Sequence, residues 1–210
     1  MNLLSYDGIL AQTIRHIAKL IALNICFLLC CIPVFTVGAA ITSLYAVFLH
    51  GNLEQTPFKR FFQAFQSNFK QATVIWLVFL MLGLVLGLDC YFLRTYQLPG
   101  KAILQSVAYI MAFVFFSAMR FAFPLQAHFE NRVYVTMRNA LVLGVTMFLH
   151  SAIMLVVAGL PIIIFFVSVD LFIYVLPLWL LLGAALSAQI NSRIVSHAFK
   201  KLSSPPPQAC

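Results

Sequence analysis

Four long apolar runs restrict this chain to very few kinds of fold. They comprise residues 73–93, 102–119, 140–160 and 171–190. A bilayer core of roughly 30 Å requires about 20 apolar residues in an α-helix, because each residue adds about 1.5 Å. All four runs are close to that length, and only 9% of the 210 residues are charged, against about 25% in soluble domains. The sequence therefore predicts an all-α, polytopic transmembrane helical bundle.

Residues 20–49 form a further apolar region that is too long for one straight span. Pro33 interrupts it, and Gly38 follows shortly after. Proline removes a backbone donor and disfavours helix in the residue before it, so we predict a break at residues 32–36. The two resulting short helices are residues 19–31 and 37–50. They form either two thin crossings or a re-entrant hairpin buried among the other helices, and with them the fold has about six membrane helices.

The basic residues predict the orientation. With six crossings, one side carries Arg15, Lys19, Lys59, Arg60, Lys70, Arg132, Arg138, Arg193, Lys200 and Lys201. Arg94 and Lys101 lie opposite, and Arg120 lies at a span end near the basic side. The positive-inside rule places the basic side and both termini in the cytoplasm, and a re-entrant hairpin gives the same result. The net charge of +8 is thus attributed to topology, and no nucleic-acid partner is expected.

The segment between Thr56 and Lys70 predicts an additional amphipathic helix. Thr56 followed by Pro57 suits an N-cap and a first helical turn. Five phenylalanines recur at helical spacing: Phe58, Phe61, Phe62, Phe65 and Phe69. Polar residues take positions between them: Lys59, Arg60, Gln63, Gln66 and Lys70. Such a helix lies along the cytoplasmic membrane surface with its phenyl rings inward, or it packs its Phe face on the bundle.

Two polar residues within the apolar runs are candidate functional groups. His150 lies near the middle of residues 140–160, close to Thr146 and Ser151. It is either a neutral, hydrogen-bonded histidine that joins two helices, or a proton relay or ligand contact. Asn24 lies inside the first helix. Because polar side chains within membrane helices bond across helices, we expect its amide to form a hydrogen bond with a neighbouring helix.

Two charged candidates, Asp89 and Arg120, are predicted to lie at opposite membrane faces. The 18 residues from Ala102 to Arg120 rise about 27 Å as a helix, which is nearly the whole core thickness. Arg120 is expected to reach the inner headgroups with its long side chain. Asp89 forms an outer polar cluster with Asp170, Arg94 and Lys101, or is simply solvated at the interface.

No motif for catalysis or cofactor binding is visible in the sequence. A nucleophile–base arrangement, a phosphate-binding glycine loop and a cluster with metal-ligand spacing are all missing. Cys26 and Cys30 share a helix face, but no histidine or carboxylate lies near them in sequence. We therefore expect no enzyme, no cofactor and no metal site. The chain is predicted to be one membrane domain, residues 1–202, with a disordered tail at residues 203–210.

Three segments carry a resemblance to a known family. They are residues 23–25 with 31–40 and 43–45, residues 61–62 with 68–72, and residues 123–129 with 138–140. In order and spacing they resemble the YesL-like family of small bacterial integral membrane proteins, a family of unknown function. His128 stands where that family is expected to have an arginine. The resemblance implies a multi-span fold in the cytoplasmic membrane, and genes beside sugar ABC importers and polysaccharide-degrading enzymes. It supplies no catalytic residue.

Two functions follow as hypotheses. The first is a non-enzymatic accessory protein that binds a partner, such as the membrane subunits of a sugar ABC importer, through the Phe-rich helix and exposed span faces. The second is a small transporter or channel with a mid-membrane polar site near Asn24, Pro33 and His150, since broken helices build such sites. A sensor of envelope state ranks third. The sequence specifies no oligomeric state.

Overall fold

The computed structural model describes residues 9–50, 56–96, 100–129 and 131–203. Every regular element in these ranges is helical: α1 (Ile9–Cys30), α2 (Val37–His50), α3 (Pro57–Thr95), α4 (Lys101–His128), α5 (Val133–Thr146), α6 (Phe148–Val167), α7 (Val169–Leu178) and α8 (Ala184–Ser203). The predicted all-α class is therefore confirmed for the described part of the chain. The predicted tail lies outside the described residues, apart from Ser203, which ends α8.

Five helical stretches are long and apolar enough to cross a membrane: Leu10–Cys30, Pro57–Thr95, Lys101–His128, Phe148–Val167 and Val169–His197. Two shorter apolar stretches are Val34–His50 and Val133–Thr146. The last long stretch combines α7 and α8, which are joined by a π-helical turn, Trp179–Gly183. The predicted total of about six membrane helices depends on how α2 is counted.

The predicted break at Pro33 is present. α1 ends at Cys30, a 3₁₀ turn covers Val34–Thr36, and α2 begins at Val37. The Thr36 hydroxyl lies 2.6 Å from the Pro33 carbonyl oxygen and 2.5 Å from that of Cys30, so it satisfies backbone groups that the break leaves free. α1 is longer than predicted, with 22 residues. Its early turns are held by His16, which contacts Gln189 of α8 at 3.2 Å.

α2 is short and central. Its 14 residues contact α1, α3, α4 and α8. More than half of them are buried: Gly38, Ala39, Ala40, Thr42, Ser43, Leu44, Tyr45 and Val47. Small residues on this helix allow the neighbouring backbones to approach closely. α2 therefore forms the middle of the core, with the longer helices around it.

α3 corrects the prediction of a separate amphipathic helix. It begins at Pro57, as predicted, but continues without interruption for 39 residues to Thr95. Nothing between Lys70 and Thr73 breaks a helix, because neither proline nor glycine occurs there. The Phe-rich segment is thus the start of the spanning helix. Thr56 precedes it with a φ of 30° and forms no side-chain cap.

The run at residues 140–160 is not one continuous helix, contrary to prediction. It breaks at Met147, which has φ −104° and ψ 46° and separates α5 from α6. The Ser151 hydroxyl donates to the Gly144 carbonyl oxygen at 3.1 Å and so replaces a lost backbone bond. A Cβ on Gly144 would lie 3.0 Å from the Ala118 nitrogen. α5 is therefore fixed close to α4, and α6 begins as a separate helix at Phe148.

The helix ends meet in two groups. His50 of α2 stacks on His128 of α4 at 4.9 Å between ring centroids, and His128 lies 5.1 Å from the Phe199 ring of α8. Arg60 of α3 donates to the His50 carbonyl oxygen at 3.1 Å. We call this end of the bundle the basic end. At the far end, Lys101 donates to the Arg94 carbonyl oxygen at 3.2 Å and closes the α3–α4 connection.

Candidate functional site

The three segments that carry the family resemblance meet where α2, α3 and α4 cross. A Cβ on Gly38 would lie 2.5 Å from the Ala72 carbonyl oxygen and 3.2 Å from the Phe123 ring. The Trp76 indole donates to the Val34 carbonyl oxygen at 2.8 Å, beside the break at Pro33. Neither Gly38 nor Pro33 presents a reactive group. Their role in this structure is to set how closely α2 and α3 approach.

A network of amides lies next to this crossing, and the sequence did not predict it. Gln126 of α4 donates to Gln71 of α3 at 2.5 Å and to Asn68 of α3 at 3.4 Å. Thr136 of α5 donates to the Gln126 Oε1 at 2.9 Å. Gln126 and Thr136 are almost fully buried. An uncharged glutamine in an otherwise apolar helix end was the only signal in the sequence, and only the fold brings its partners together.

Asn24 makes the bridge that the sequence predicted. Its side-chain nitrogen donates to the Leu180 carbonyl oxygen at 2.7 Å, and its Oδ1 accepts from the Ala185 amide at 2.9 Å. Residues five apart form the backbone hydrogen bond of a π-helix, so the amide of Asn24 bonds to both groups of one such pair. Asn24 is fully buried. Its two polar atoms are used within the fold and are not directed at a ligand.

Arg120 lies further from the end of its helix than the apolar run predicted, and its contact with headgroups stays a prediction. It lies eight residues, about 12 Å, before the end of α4 at His128. Its guanidinium faces α6, with one nitrogen 3.5 Å from the Met154 carbonyl oxygen. Its Nε and the nearby Ser117 hydroxyl are buried without a hydrogen-bond partner. α4 is longer than its apolar run, and this extra length moves Arg120 away from the helix end.

Asp89 is exposed on α3 near the far end, and Asp170 is exposed at the start of α7. Among the described residues no ion pair joins either carboxylate to Arg94, Lys101 or Arg120. The prediction that Asp89 and Arg120 do not pair therefore agrees with the structure. In the described ranges the suggested outer cluster of charges is therefore not assembled by ion pairs, and solvation of these residues at the interface stays a prediction.

A cavity of about 1060 Å³ lies beside the break at Met147. Its lining residues come from four helices and two connections: Leu125, Phe129, Asn139, Val142, Leu143, Thr146, Met147, Phe148, Leu149, His150, His197 and Phe199. The break separates α5 from α6 and opens the space. His150 is only half-buried there. His197 was not a sequence candidate, because only the fold brings the end of α8 to this position.

His150 and Asn24 do not share a site. His197, which lines the cavity with His150, lies 12 residues after Ala185, or about 18 Å further along the helix. Asn24 bonds to Ala185 and is sealed, whereas Pro33 lies just before the start of α2, at the opposite end of that helix from His50. The predicted composite site of Asn24, Pro33 and His150 is therefore not assembled. Within the described ranges, no three His, Cys, Asp or Glu side chains are grouped to hold a metal ion.

The first turns of α3, residues 57–70, form a second candidate surface, which we call the α3 extension. Phe61 is fully buried, while Phe58 and Phe62 are 37% and 47% exposed. Phe65 and Phe69 are half-buried, and their rings follow that of Phe61 in a row of aromatic contacts. Lys59 and Lys70 are exposed. The Phe face thus packs on the bundle in part and is open in part.

The described residues thus define an all-helical fold with five helices that are long and apolar enough to cross a membrane. Comparison with known families matches residues 20–90 to a family described as "Protein of unknown function, DUF624". The match covers 71 of 210 residues (90 − 20 + 1) and includes the Pro33 break, α2 and most of α3. No curated protein and no solved structure matches the chain.

Proposed function

We propose that this chain is a non-enzymatic accessory protein of the bacterial cytoplasmic membrane. Its termini lie in the cytoplasm, and it binds a partner membrane protein. The five long apolar helices support the membrane location. The orientation is supported by three basic residues of the α3 extension, Lys59, Arg60 and Lys70. They lie at the basic end, where Arg60 contacts the end of α2.

The observation that carries the proposal is the length of α3. Its 39 residues rise about 58 Å, roughly twice the thickness of a bilayer core. A helix of this length extends beyond a bilayer core, and its first turns, the α3 extension, pack along α2 at the basic end. Phe58 and Phe62 remain open there although burial of a phenylalanine contributes about 1.5–3 kcal/mol. An open aromatic pair beside lysines fits a protein interface, in which aromatic anchors supply most of the affinity.

The class of partner comes from the resemblance. The YesL-like family implies a neighbourhood of sugar ABC importers, so we propose importer membrane subunits as the partner and carbohydrate uptake as the process. The match of residues 20–90 to a family of unknown function supports a relation through the first three helices. That part of the chain includes the α3 extension.

The test is co-purification after crosslinking in native membranes. The double substitution Phe58→Ala and Phe62→Ala is expected to lower recovery of importer subunits at least about tenfold, because truncating an aromatic anchor costs 2 kcal/mol or more. Phe116→Ala is the matched control, since Phe116 is also 47% exposed but lies on α4. Absence of any importer component with the unaltered protein, or equal loss with Phe116→Ala, would contradict the proposal.

A transporter or channel is the second candidate function, and one observation favours it. His150 lines a cavity and is not sealed by apolar neighbours. Two observations weigh against a transport path: Asn24 is fully used inside the fold, and no acidic side chain in the described part of the chain lines the cavity. Coupling to a cation usually relies on such carboxylates within the membrane.

A further inference from the structure

The cavity beside Met147 is an apolar groove with an open side. Its floor consists of Leu125, Leu143 and Phe199, which are 3%, 4% and 7% exposed. Its rim consists of Val142, Phe148 and Leu149, which are 56%, 60% and 66% exposed. Eight of the twelve lining residues are apolar. In a membrane, hydrocarbon chains surround such a rim, so the groove accepts a hydrocarbon chain more readily than water.

Polar groups are present at the basic end of the groove. Asn139 lies six residues after the start of α5, or about 9 Å along the helix. His197 lies two residues before Phe199, whose ring packs against His128 at the basic end. Both side chains line the groove and can donate a hydrogen bond. The groove therefore joins an apolar floor to hydrogen-bond donors at the level where the helices end.

Cations lie next to these donors. Arg138 directly precedes Asn139, and Arg193 lies one turn before His197 on the same face of α8. Both arginines are exposed. Arginine binds phosphate through two parallel hydrogen bonds, and basic pockets between membrane helices on the cytoplasmic side bind anionic lipid headgroups. Among the residues that the structure describes, no carboxylate lines the groove to oppose an anion.

We propose that this groove binds one anionic phospholipid of the cytoplasmic leaflet. An acyl chain lies along the floor towards His150, and the phosphate group lies near Asn139, His197 and Arg193. A free sugar does not suit the site, because the floor and rim offer it almost no hydrogen-bonding partners. The proposal shares the orientation given under the proposed function, but it does not depend on the partner or on the α3 extension.

The test measures lipid retention by native mass spectrometry of the full chain in mild detergent. Phosphatidylglycerol and phosphatidylcholine with the same acyl chains are supplied at equal concentration. The unaltered protein is expected to retain one phosphatidylglycerol in preference to phosphatidylcholine. Arg193→Gln is expected to lower that retention about fivefold, which corresponds to the contribution of one basic residue near an anionic headgroup. Arg94→Gln, at the far end, is its control.

A second pair of variants tests the groove itself. Val142→Trp places an indole in the open side of the groove and is expected to displace the lipid. Val145→Trp is the matched control, because Val145 is 58% exposed on the same helix and does not line the groove. Equal retention by these two variants, or equal retention of the two phospholipids by the unaltered protein, would overturn the proposal. Importer recovery with Val142→Trp is expected to stay unchanged, which separates this proposal from the proposed function.

Discussion

At Gly38 the absence of a side chain determines the distance between two helices. The space for a Cβ is already occupied by the Ala72 carbonyl oxygen and the Trp76 Cβ, each at 2.5 Å. Backbone cannot move aside as the end of a flexible side chain can. The glycine and the two residues that it contacts lie in α2 and α3, within residues 20–90, the stretch that matches a known family. A packing requirement thus accounts for this residue without any chemical activity.

Gly38→Ala is expected to lower the free energy of unfolding by at least about 1–3 kcal/mol, the usual cost of overpacking a core. Gly87→Ala is the control, because no atom lies within 4 Å of the Cβ position at Gly87. There the higher helix propensity of alanine is expected to leave stability unchanged or raise it by up to about 1 kcal/mol. Unfolding of the purified protein in detergent measures both. Equal effects of the two substitutions would show that the α2–α3 contact does not limit stability.

The sequence predicted the contacts of some buried polar residues and not of others. Asn24 was recognised because an amide in an apolar helix requires a partner, and the partner proved to be backbone of the last span. The expected position of Arg120 at a helix end was wrong, since α4 continues to His128. Gln126 and His197 were not recognised. Their neighbours are distant in sequence, so no local pattern distinguishes them.

At the scale of elements, two helices differ from the sequence prediction for opposite reasons. α3 is longer than expected because no helix breaker separates the Phe-rich segment from its span. The run at residues 140–160 is divided into two shorter helices because contacts with α4 fix α5 at Gly144. The Ser151 hydroxyl compensates for the backbone hydrogen bond that is lost at the break. The first feature could have been read from the sequence. The second depends on the surface that α4 presents.

The π-helical turn at Trp179–Gly183 depends on a residue of another helix. Asn24→Leu is expected to destabilise the protein by about 1–2 kcal/mol, because the Leu180 carbonyl and the Ala185 amide lose their side-chain partner. Hydrogen exchange at the Ala185 amide, together with unfolding in detergent, measures the effect. His16→Leu is the control: His16 also bonds to α8, but to the side chain of Gln189. Faster exchange at Ala185 in His16→Leu than in Asn24→Leu would contradict this account.

At the scale of the whole molecule, basic and aromatic side chains lie at the two ends of the bundle. His50, Arg60, His128 and Phe199 meet at the basic end, whereas Arg94 and Lys101 close the far end. α2 lies between these ends and contacts α1, α3, α4 and α8. The basic end carries both proposed sites, the α3 extension and the polar part of the lipid groove. Partner binding and lipid binding are therefore proposed for the same face of the membrane.

Cysteine labelling with a membrane-impermeant maleimide tests this arrangement in a variant whose native cysteines are replaced by serine. Gln66→Cys, on the α3 extension, is expected to react only in inside-out vesicles. Thr95→Cys, at the far end, is expected to react only in right-side-out vesicles. Thr146→Cys, in the cavity, is expected to react from neither side, because the proposed groove holds hydrocarbon in preference to water. Labelling of Thr146→Cys from both sides would favour the transporter, and labelling of Gln66→Cys and Thr95→Cys from one side would contradict the orientation.

The sequence by itself determined the class of fold, the break at Pro33 and the start of α3 at Pro57, because length, apolar content and proline act through local backbone chemistry. It also marked Asn24 as a residue with a partner elsewhere. The tertiary structure decided which polar groups meet, where the run at residues 140–160 breaks, and that His150 and His197 line one groove. Those features arise from contacts between helices that are far apart in sequence, and no local pattern encodes them.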